Sequence, residues 1–271
     1  MSNKEIVKNY LNTLEINEKI KSLEDITKLI KAHLRTFSFS SLRVLLKEDI
    51  SLELSAIYDN IVVKRRGGYC FEHNKLMFEV LKELGFGVEY HLARVINNTE
   101  NIPPQTHRFT LLEFEKQKYL IDVGIGFRTP SIPIKLGKEP SISHLGIEYK
   151  IVELEDKTFS MQLIEKGNIF NATKFDLKEC YEVDFEMGNF YSHKNPNAIF
   201  VNNFVASRIE DNIIHSLFNN KYFKITTDIT EEIEIKNSKQ LEEILKNNLN
   251  SEFTVREVDF LYKQYVKKYE Y

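Results

Sequence analysis

Up to Gly85, apolar residues recur every three or four positions, which is the spacing of amphipathic helices. Ser2 and Ser22 each stand just before such a stretch, where an N-cap is expected, and we expect Ser51 to cap a third helix. A fourth helix is expected to begin at or just after Cys70 and to stop at Gly85, because glycine commonly ends helices. These helices would bury their apolar faces against one another, which predicts an N-terminal helical bundle.

From about Val88 the pattern changes to short apolar runs and two-residue alternation, which are typical of strands. The predicted strands in this region are 108–114, 119–123, 147–154, 159–164 and a segment that starts at 169. The first two flank a polar turn and predict a hairpin. Strands that are this short and this closely spaced indicate a barrel or a sandwich.

The last third alternates strand candidates, at 213–218 and 222–226, with helices that we expect Ser238 and Thr254 to cap. The whole chain therefore predicts an α+β fold. No repeat, low-complexity tract or obvious linker is present, so the expected domain boundaries, at about 88 and 200, rest on the change of pattern alone.

Composition and charge narrow the classes of function. A net charge of −3 with interspersed signs argues against nucleic-acid binding, which needs a basic patch. No apolar run approaches the ~20 residues that span a bilayer, and residues 1–5 lack the apolar segment of a signal peptide. The two cysteines, Cys70 and Cys180, cannot build a disulfide framework. We therefore expect a protein of the reducing cytoplasm with no membrane or nucleic-acid partner.

The most informative stretch is 66–74, Arg-Gly-Gly-Tyr-Cys-Phe-Glu-His-Asn, which places Cys70 between a glycine turn and the start of a helix. A thiol reacts as its thiolate, and the unpaired N–H groups and partial positive charge of a helix N-terminus favour that anion. Cys70 is therefore the predicted nucleophile. Cys180 has no such setting and is expected to pack, while Glu72 is expected to be a solvated helix residue.

Seven histidines are candidates for the base that activates Cys70. His73 is three residues away on the same predicted helix, but its ring would point back along that helix. His107 lies beside the predicted strand that bears Asp122, so a carboxylate can fix its tautomer and favour the imidazolium. We predict Cys70, His107 and Asp122 as the catalytic residues. The remaining histidines, expected at the surface or in packing, are His33, His91, His144, His193 and His215.

Residues 66–74 resemble the signature of the arylamine N-acetyltransferases, Arg-Gly-Gly-x-Cys-Phe-Glu followed by a closing Asn. The resemblance continues through His107 and the Asp-Val-Gly-x-Gly run that starts at Asp122, and it covers roughly residues 30 to 208. It implies three parts around a cysteine-protease-like core. These are a helical bundle with the nucleophile (1–88), an antiparallel β-barrel with His and Asp (89–200) and an α/β lid (201–271).

The resemblance also implies the reaction and the binding residues. The family moves an acetyl group from acetyl-CoA, through a cysteine thioester, to an arylamine, arylhydrazine or N-hydroxyarylamine in a ping-pong scheme without a metal, and the implied role is xenobiotic metabolism. The implied coenzyme A site consists of Gly124, Gly126, Phe127, Arg128, Tyr191 and Asn197. The implied acceptor pocket consists of Phe39, Val95, Ile125 and Phe200.

Two departures from the family pattern bear on these expectations. Ser40 and Ser41 stand where the family usually has Glu-Asn, so Arg66 is expected to lack an acidic partner. Ile125 stands where the family usually has phenylalanine, so one aromatic wall of the acceptor pocket is expected to be missing.

Three alternatives stay open at the level of sequence. A cysteine hydrolase or a transglutaminase-like enzyme uses the same Cys, His and Asp logic. A catalytically degenerate homologue would bind coenzyme A or a partner without turnover. A zinc site on Cys70 and His73 would need a second pair of ligands, for which the chain offers no matching spacing.

Overall fold

The computed structural model describes residues 1–99 and 101–269, apart from the side chain of Lys138. Its α-helices are α1 (Asn3–Thr13), α2 (Leu23–Thr36), α3 (Leu42–Leu45), α4 (Leu54–Tyr58), α5 (Cys70–Glu83), α6 (Glu182–Lys194), α7 (Ile199–Asn202), α8 (Ser238–Glu243) and α9 (Val255–Leu261). Single π-helical turns continue α4, α8 and α9 over 59–63, 244–248 and 262–266.

The helix starts follow the predicted side-chain caps in three cases out of five. Ser2, Ser22 and Thr254 each form a capping box at the start of α1, α2 and α9. The prediction for Ser51 is wrong, because its hydroxyl accepts a hydrogen bond from Glu53 N–H in a turn and α4 begins later. The prediction for Ser238 is wrong by one residue, since the preceding Asn237 is extended and its side chain caps α8.

The strands form two antiparallel sheets. They are β1 (Phe39–Ser40), β2 (Gly87–Val95), β3 (His107–Phe114), β4 (Gln117–Ile121), β5 (Ile134–Lys135), β6 (Gly137–Ile142), β7 (Glu148–Glu153), β8 (Phe159–Glu165), β9 (Asn168–Phe175), β10 (Val205–Ile209), β11 (Ile214–Phe218), β12 (Lys221–Ile225) and β13 (Thr230–Glu234). The larger sheet has the order β5-β4-β3-β2-β9-β8-β7-β6, and the smaller has the order β1-β10-β11-β12-β13.

The larger sheet curls until it is nearly a closed barrel. Its two edge strands, β5 and β6, are consecutive in the chain, and Leu136 between them forms a bridge with Ile151 of β7. The predicted hairpin is β3–β4, whose register pairs Thr110 with Ile121. His107 therefore begins β3 and Asp122 follows the last residue of β4, at the same end of the hairpin. The expected α+β fold with a barrel is confirmed, while the three domain ranges stay a prediction.

Helix α5 joins the helical layer to this hairpin. Its apolar face belongs to one core with α1, α2 and residues of the hairpin, and its fully buried members are Leu76, Met77, Val80 and Leu81. Burying each such side chain contributes about 1.5–3 kcal/mol. Strand β1 meanwhile leaves the helical region and pairs with β10, with Phe39 opposite Ser207. The first residue of α5 consequently lies between the barrel and the smaller sheet.

Candidate active site

Cys70 is the first residue of α5 and is almost completely buried. Its Sγ donates a weak hydrogen bond to the carbonyl of Thr106, the residue before β3, at 3.4 Å. The helix start is fixed by Glu72, whose carboxylate accepts from Tyr69 N–H at 3.2 Å. Because Cys70 sits in the first turn, the partial positive charge of the helix N-terminus lies next to its sulfur.

His107 and Asp122 form a buried pair beside this sulfur. His107 Nε2 lies 2.6 Å from Asp122 Oδ2, and each residue is only 2% exposed. Burial by itself lowers the pKa of His107, but the charge and hydrogen bond of Asp122, together with Cys70, raise that pKa to about 10. His107 is therefore an imidazolium at neutral pH, and an imidazolium next to a thiol favours the thiolate.

Asn74, the last residue of the motif around Cys70, positions Asp122, and the sequence pattern gave no indication of this contact. It lies one turn after Cys70, and its amide Nδ2 donates to Asp122 Oδ1 at 2.9 Å and to the carbonyl of Arg108. Its Oδ1 accepts from Val123 N–H at 2.8 Å. Asp122 Oδ1 also accepts from Gly124 N–H at 2.9 Å. Asn74 thus ties both strands of the hairpin to the helix that carries Cys70 and holds Asp122 in place.

His73, the alternative base, lies on another face of α5. Its Nδ1 is 2.8 Å from His33 Nε2, and its Nε2 is 3.0 Å from the carbonyl of Ser38, so both ring nitrogens are engaged away from Cys70. Burial lowers the pKa of His73 to about 4. Of the two base candidates, the structure brings His107 to a carboxylate and leaves His73 neutral in the core.

A buried ionic network lies beneath the start of α5 and corrects two expectations. Glu72 is only 1% exposed rather than solvated, and it pairs with Arg43 at 2.6 Å. Arg66 does not lack acidic partners, since it pairs with Glu48 and, at 2.9 Å, with Glu257. Arg43 also binds Glu48 at 2.9 Å, which joins the two pairs. The carboxylates of Glu48 and Glu257, from other segments of the chain, thus take the place of the Glu-Asn pair that is usual in the family.

A cavity of about 490 Å³ opens beside the buried pair. Cys70 and His107 lie on its wall, and Asp122 lies behind His107. Every residue that the resemblance assigned to a binding site lines this cavity, namely Phe39, Val95, Gly124, Ile125, Gly126, Phe127, Arg128, Tyr191, Asn197 and Phe200. Phe218, which the sequence did not suggest, adds another aromatic wall. The cavity is large enough for a small aromatic molecule.

The two glycines of the Asp-Val-Gly-x-Gly run are required for different reasons. A Cβ at Gly124 would lie 2.8 Å from the Cα of Cys70 and 2.9 Å from Asn74 Nδ2, so only glycine lets this loop approach the helix start. Gly126 has a φ of +73°, a left-handed conformation that side chains other than glycine adopt only at a cost. The close approach at Gly124 is therefore to the protein's own helix.

Arg128 is held at the cavity by aromatic rings. Its guanidinium carbon lies 4.3 Å from the centroid of Phe127 and 4.2 Å from that of Phe170. Within the described part of the chain it has no carboxylate within ion-pair distance. Burial lowers the pKa of Arg128, although an arginine remains charged at neutral pH. A cation held in place without a carboxylate in ion-pair contact is suited to an anionic ligand.

Across 1–99 and 101–269, no cluster of three or more His, Cys, Asp and Glu side chains is arranged to hold a metal ion. In those residues, no helix combines the length and the apolarity that crossing a bilayer would require.

The chain is similar in sequence to known acetyltransferases. A family model described as N-acetyltransferase matches residues 22–258. The arylamine N-acetyltransferase of Escherichia coli (strain K12) is 36% identical over 177 residues, which cover 65% of this chain and 63% of that enzyme. The matched segment thus spans slightly less than two thirds of the length of that relative.

Solved structures extend the likeness to the whole fold. The arylamine N-acetyltransferase from M. tuberculosis has a TM-score of 0.87 and 26% identity, covering 93% of this chain and 99% of that one. The Mycobacterium marinum arylamine N-acetyltransferase, solved in complex with CoA, has a TM-score of 0.87 and 23% identity, covering 94% and 97%. The motif around Cys70, the family match and the shared fold lead to one conclusion: this chain belongs to the arylamine N-acetyltransferase family.

Proposed function

We propose that this protein is an acetyl-CoA-dependent N-acetyltransferase that carries the acetyl group on Cys70 and passes it to an aromatic amine. The observation that carries the proposal is the hydrogen-bonded pair of His107 and Asp122 next to a thiol at a helix N-terminus, with the thiol and imidazole on the wall of one cavity. Family membership supports acetyl transfer as the reaction. The CoA complex of the Mycobacterium marinum enzyme supports acetyl-CoA as the donor.

In the first half-reaction, the thiolate of Cys70 attacks the thioester carbonyl carbon of acetyl-CoA. The carbon–sulfur bond to coenzyme A breaks, and the departing thiolate takes the proton of His107. The products are free coenzyme A, an acetyl-cysteine and a neutral imidazole. The carboxylate of Asp122 holds His107 through the 2.6 Å hydrogen bond at Nε2, which leaves Nδ1 for the proton transfer.

In the second half-reaction, the nitrogen of the acceptor attacks the acetyl carbon on Cys70. The amine proton passes to His107, the bond to sulfur breaks, and the thiolate and imidazolium are restored. An aromatic amine is weakly basic and therefore neutral near pH 7, so its nitrogen lone pair is free to attack. Arylhydrazines and N-hydroxyarylamines share this property and are included among the proposed acceptors.

The two substrates would use different walls of the cavity. Arg128, which makes no ion pair with a described residue, is the residue proposed for a phosphate of coenzyme A, with Tyr191 and Asn197 on the wall of the same cavity. Phe39 and Phe200, whose ring centroids are 5.8 Å apart, are proposed to hold the acceptor ring.

Intact-mass analysis after mixing with acetyl-CoA alone tests the proposal most directly. We expect one acetyl group per chain, on the peptide that contains Cys70, and its loss when an arylamine is added. Cys180→Ser is the matched control and should still be acetylated, whereas Cys70→Ser should not.

The other outcomes identify the rivals. Acetylation of Cys180 only, or no acetylation of a folded wild-type protein, would contradict the assignment of Cys70. Stable acetyl-Cys70 that no amine discharges would indicate a degenerate homologue. Peptide cleavage without acetylation would indicate a cysteine hydrolase.

A further inference from the structure

Two serine hydroxyls face the cavity from the smaller sheet. Ser207 on β10 and Ser216 on β11 lie directly opposite each other in the antiparallel register, so their side chains share one face of the sheet. Both residues line the cavity and both are buried, with Ser207 only 3% exposed. The sheet thus presents a pair of hydroxyl groups to the same cavity as Cys70.

Among the described residues, five buried side-chain atoms lack a hydrogen-bond partner, and of these only the hydroxyl of Ser207 belongs to a residue that lines this cavity. Its Oγ is fully buried and makes no hydrogen bond to any described residue. Leaving a buried hydroxyl without a hydrogen bond is destabilising. Buried polar groups in folded proteins are nearly always satisfied, so an orphaned one on a cavity wall indicates a ligand group.

The surroundings of these hydroxyls limit what that group can be. Phe39 faces Ser207 across the β1–β10 pairing, and Phe218 lies two residues along β11 from Ser216. The neighbouring cation, Arg208, is engaged elsewhere by the carbonyls of Arg35 and Asn248 and by Glu210. Strands β10 and β11 themselves therefore offer no free cation to a carboxylate buried here, and burying an unpaired charge is costly. An uncharged group that can donate and accept a hydrogen bond, on an aromatic ring, fits this wall.

We propose that Ser207, with Ser216 beside it, selects acceptor amines that carry an uncharged hydrogen-bonding substituent on the ring, such as a phenolic hydroxyl. The inference rests on the proposed function and specifies its acceptor class. The two serines lie beside the rings of Phe39 and Phe218, and the substituent supplies the partner that Ser207 lacks. A ring with a methyl group in the same place would leave Ser207 unpaired.

The test compares the three aminophenols with the three toluidines, which match them in size and differ in hydrogen bonding. For each isomer pair, kcat/KM is measured for the wild type and for Ser207→Ala, with Ser216→Ala as the second variant. The aminophenol-to-toluidine ratio of kcat/KM in one enzyme includes the intrinsic reactivity of the two amines. That contribution is the same in every variant, so it cancels when the ratios of two variants are compared. We expect Ser207→Ala to reduce the aminophenol-to-toluidine ratio of at least one isomer pair by roughly 5-fold to 100-fold.

Ser192→Ala provides a matched control, because Ser192 lines the same cavity but its hydroxyl already donates to the carbonyl of Gly188 at 2.9 Å. That variant should leave the ratio unchanged. Thermal unfolding of each variant establishes that it is folded before the kinetics are compared.

Acetylation of Cys70 by acetyl-CoA alone is measured for every variant, which separates two kinds of failure. If Ser207→Ala slows this step and leaves the acceptor ratio intact, the hydroxyl serves the donor side and the inference is wrong. If the step and the ratio are both unchanged, Ser207 selects nothing, while the proposed function survives. If the folded wild type is not acetylated at all, the proposed function fails and the inference fails with it.

Discussion

Helix α5 separates two histidine sites that are equally buried and behave in opposite ways. His107 lies on the side of Cys70 and the cavity, and His73 lies on the side of the helical core, at 2% and 1% exposure. Burial lowers the pKa of both imidazoles. The pKa of His107 is nevertheless raised to about 10, whereas that of His73 falls to about 4. The carboxylate of Asp122 causes this difference in pKa. The hydrogen-bond partners of His73 are an imidazole and a carbonyl, and neither carries a negative charge.

The core side has a chain of hydrogen bonds whose direction is fixed by its ends. The carbonyl of Ser38 can only accept, so His73 donates from Nε2 and accepts at Nδ1 from His33. His33 then accepts at its own Nδ1 from the hydroxyl of Tyr10, 2.8 Å away. Each imidazole is neutral and uses both nitrogens. The His107 site therefore holds a positive charge beside a thiol. The site of His33 and His73 is uncharged and joins α1, α2, α5 and the residue before β1.

The largest expected effect comes from removing the carboxylate that distinguishes the two sites. Asp122→Asn should lower acetyl transfer by up to ~10⁴-fold, as in comparable triads, because an amide neither favours the imidazolium nor fixes the tautomer. The pKa of His107 should fall toward that of His73, which NMR titration of the imidazole signals would record. Steady-state kinetics and circular dichroism would accompany it.

Glu72→Gln is the control for this prediction, since it removes another buried carboxylate from the same region. Glu72 bonds Arg43 and not the imidazole, so its loss should lower stability and leave the His107 titration in place. A wild-type rate in folded Asp122→Asn would remove Asp122 from the catalytic residues.

The second prediction uses the pH dependence of stability. An unfolded histidine titrates near 6.5. Because the folded pKa of His73 is lower, its contribution to stability is complete above pH 6.5 and is lost as the pH falls to about 4, a loss of about 3 kcal/mol. His107 has the opposite sign, so its contribution is complete below pH 6.5 and is lost as the pH rises toward 10.

Denaturant unfolding from pH 4 to pH 10 would measure both slopes. The double variant His33→Leu, His73→Leu should be less stable near pH 7 yet lose less stability on acidification, while its alkaline slope should match the wild type. Asp122→Asn should keep the acid slope of the wild type and flatten the alkaline slope. An unchanged acid slope in the double variant would show that the core histidines do not govern acid sensitivity.

The third prediction concerns the thiols. Cys70 lies beside the His107 imidazolium, while burial raises the pKa of Cys180. At pH 6, iodoacetamide should alkylate Cys70 at least about 10-fold faster than Cys180, because an ordinary thiol has little thiolate at that pH. Peptide mass spectrometry after timed quenching would give both rates. Asp122→Asn should reduce the preference for Cys70. Equal labelling of the two cysteines in the wild type would contradict a positively charged His107 beside Cys70.

The sequence could predict the features that depend on local signals. Local signals sufficed for the caps at Ser2, Ser22 and Thr254, and the motif around Cys70 with the hairpin pointed to His107 and Asp122. These inferences depend on residues close in sequence or on one strand pairing. The α+β fold with a barrel followed from the same local patterns and the resemblance, and it is confirmed.

Long-range partners could not be predicted from the same patterns. The burial of Glu72 follows from Arg43, and the pairing of Arg66 follows from Glu257, which is 191 positions away. Likewise, nothing local shows that His33 meets His73 or that the amide of Asn74 reaches Asp122. Such contacts depend on how whole elements pack, and a single sequence does not encode them in its spacing.

The smallest expected effect tests whether the cavity wall selects acceptors by shape, independently of the positive charge on His107. Ile125, half-buried on the cavity wall, stands where the family usually has phenylalanine. Ile125→Phe would add a ring whose stacking is worth ~0.5–1.5 kcal/mol, which corresponds to roughly 2-fold to 10-fold in kcat/KM. The ratio between large and small arylamines should change by that amount. Acetylation of Cys70 by acetyl-CoA should stay nearly the same, because it precedes acceptor binding. Val95→Phe, on the same wall, is the matched comparison for ring size. If Ile125→Phe changed the acetylation of Cys70 and left the arylamine ratio intact, residue 125 would belong to the donor side of the cavity.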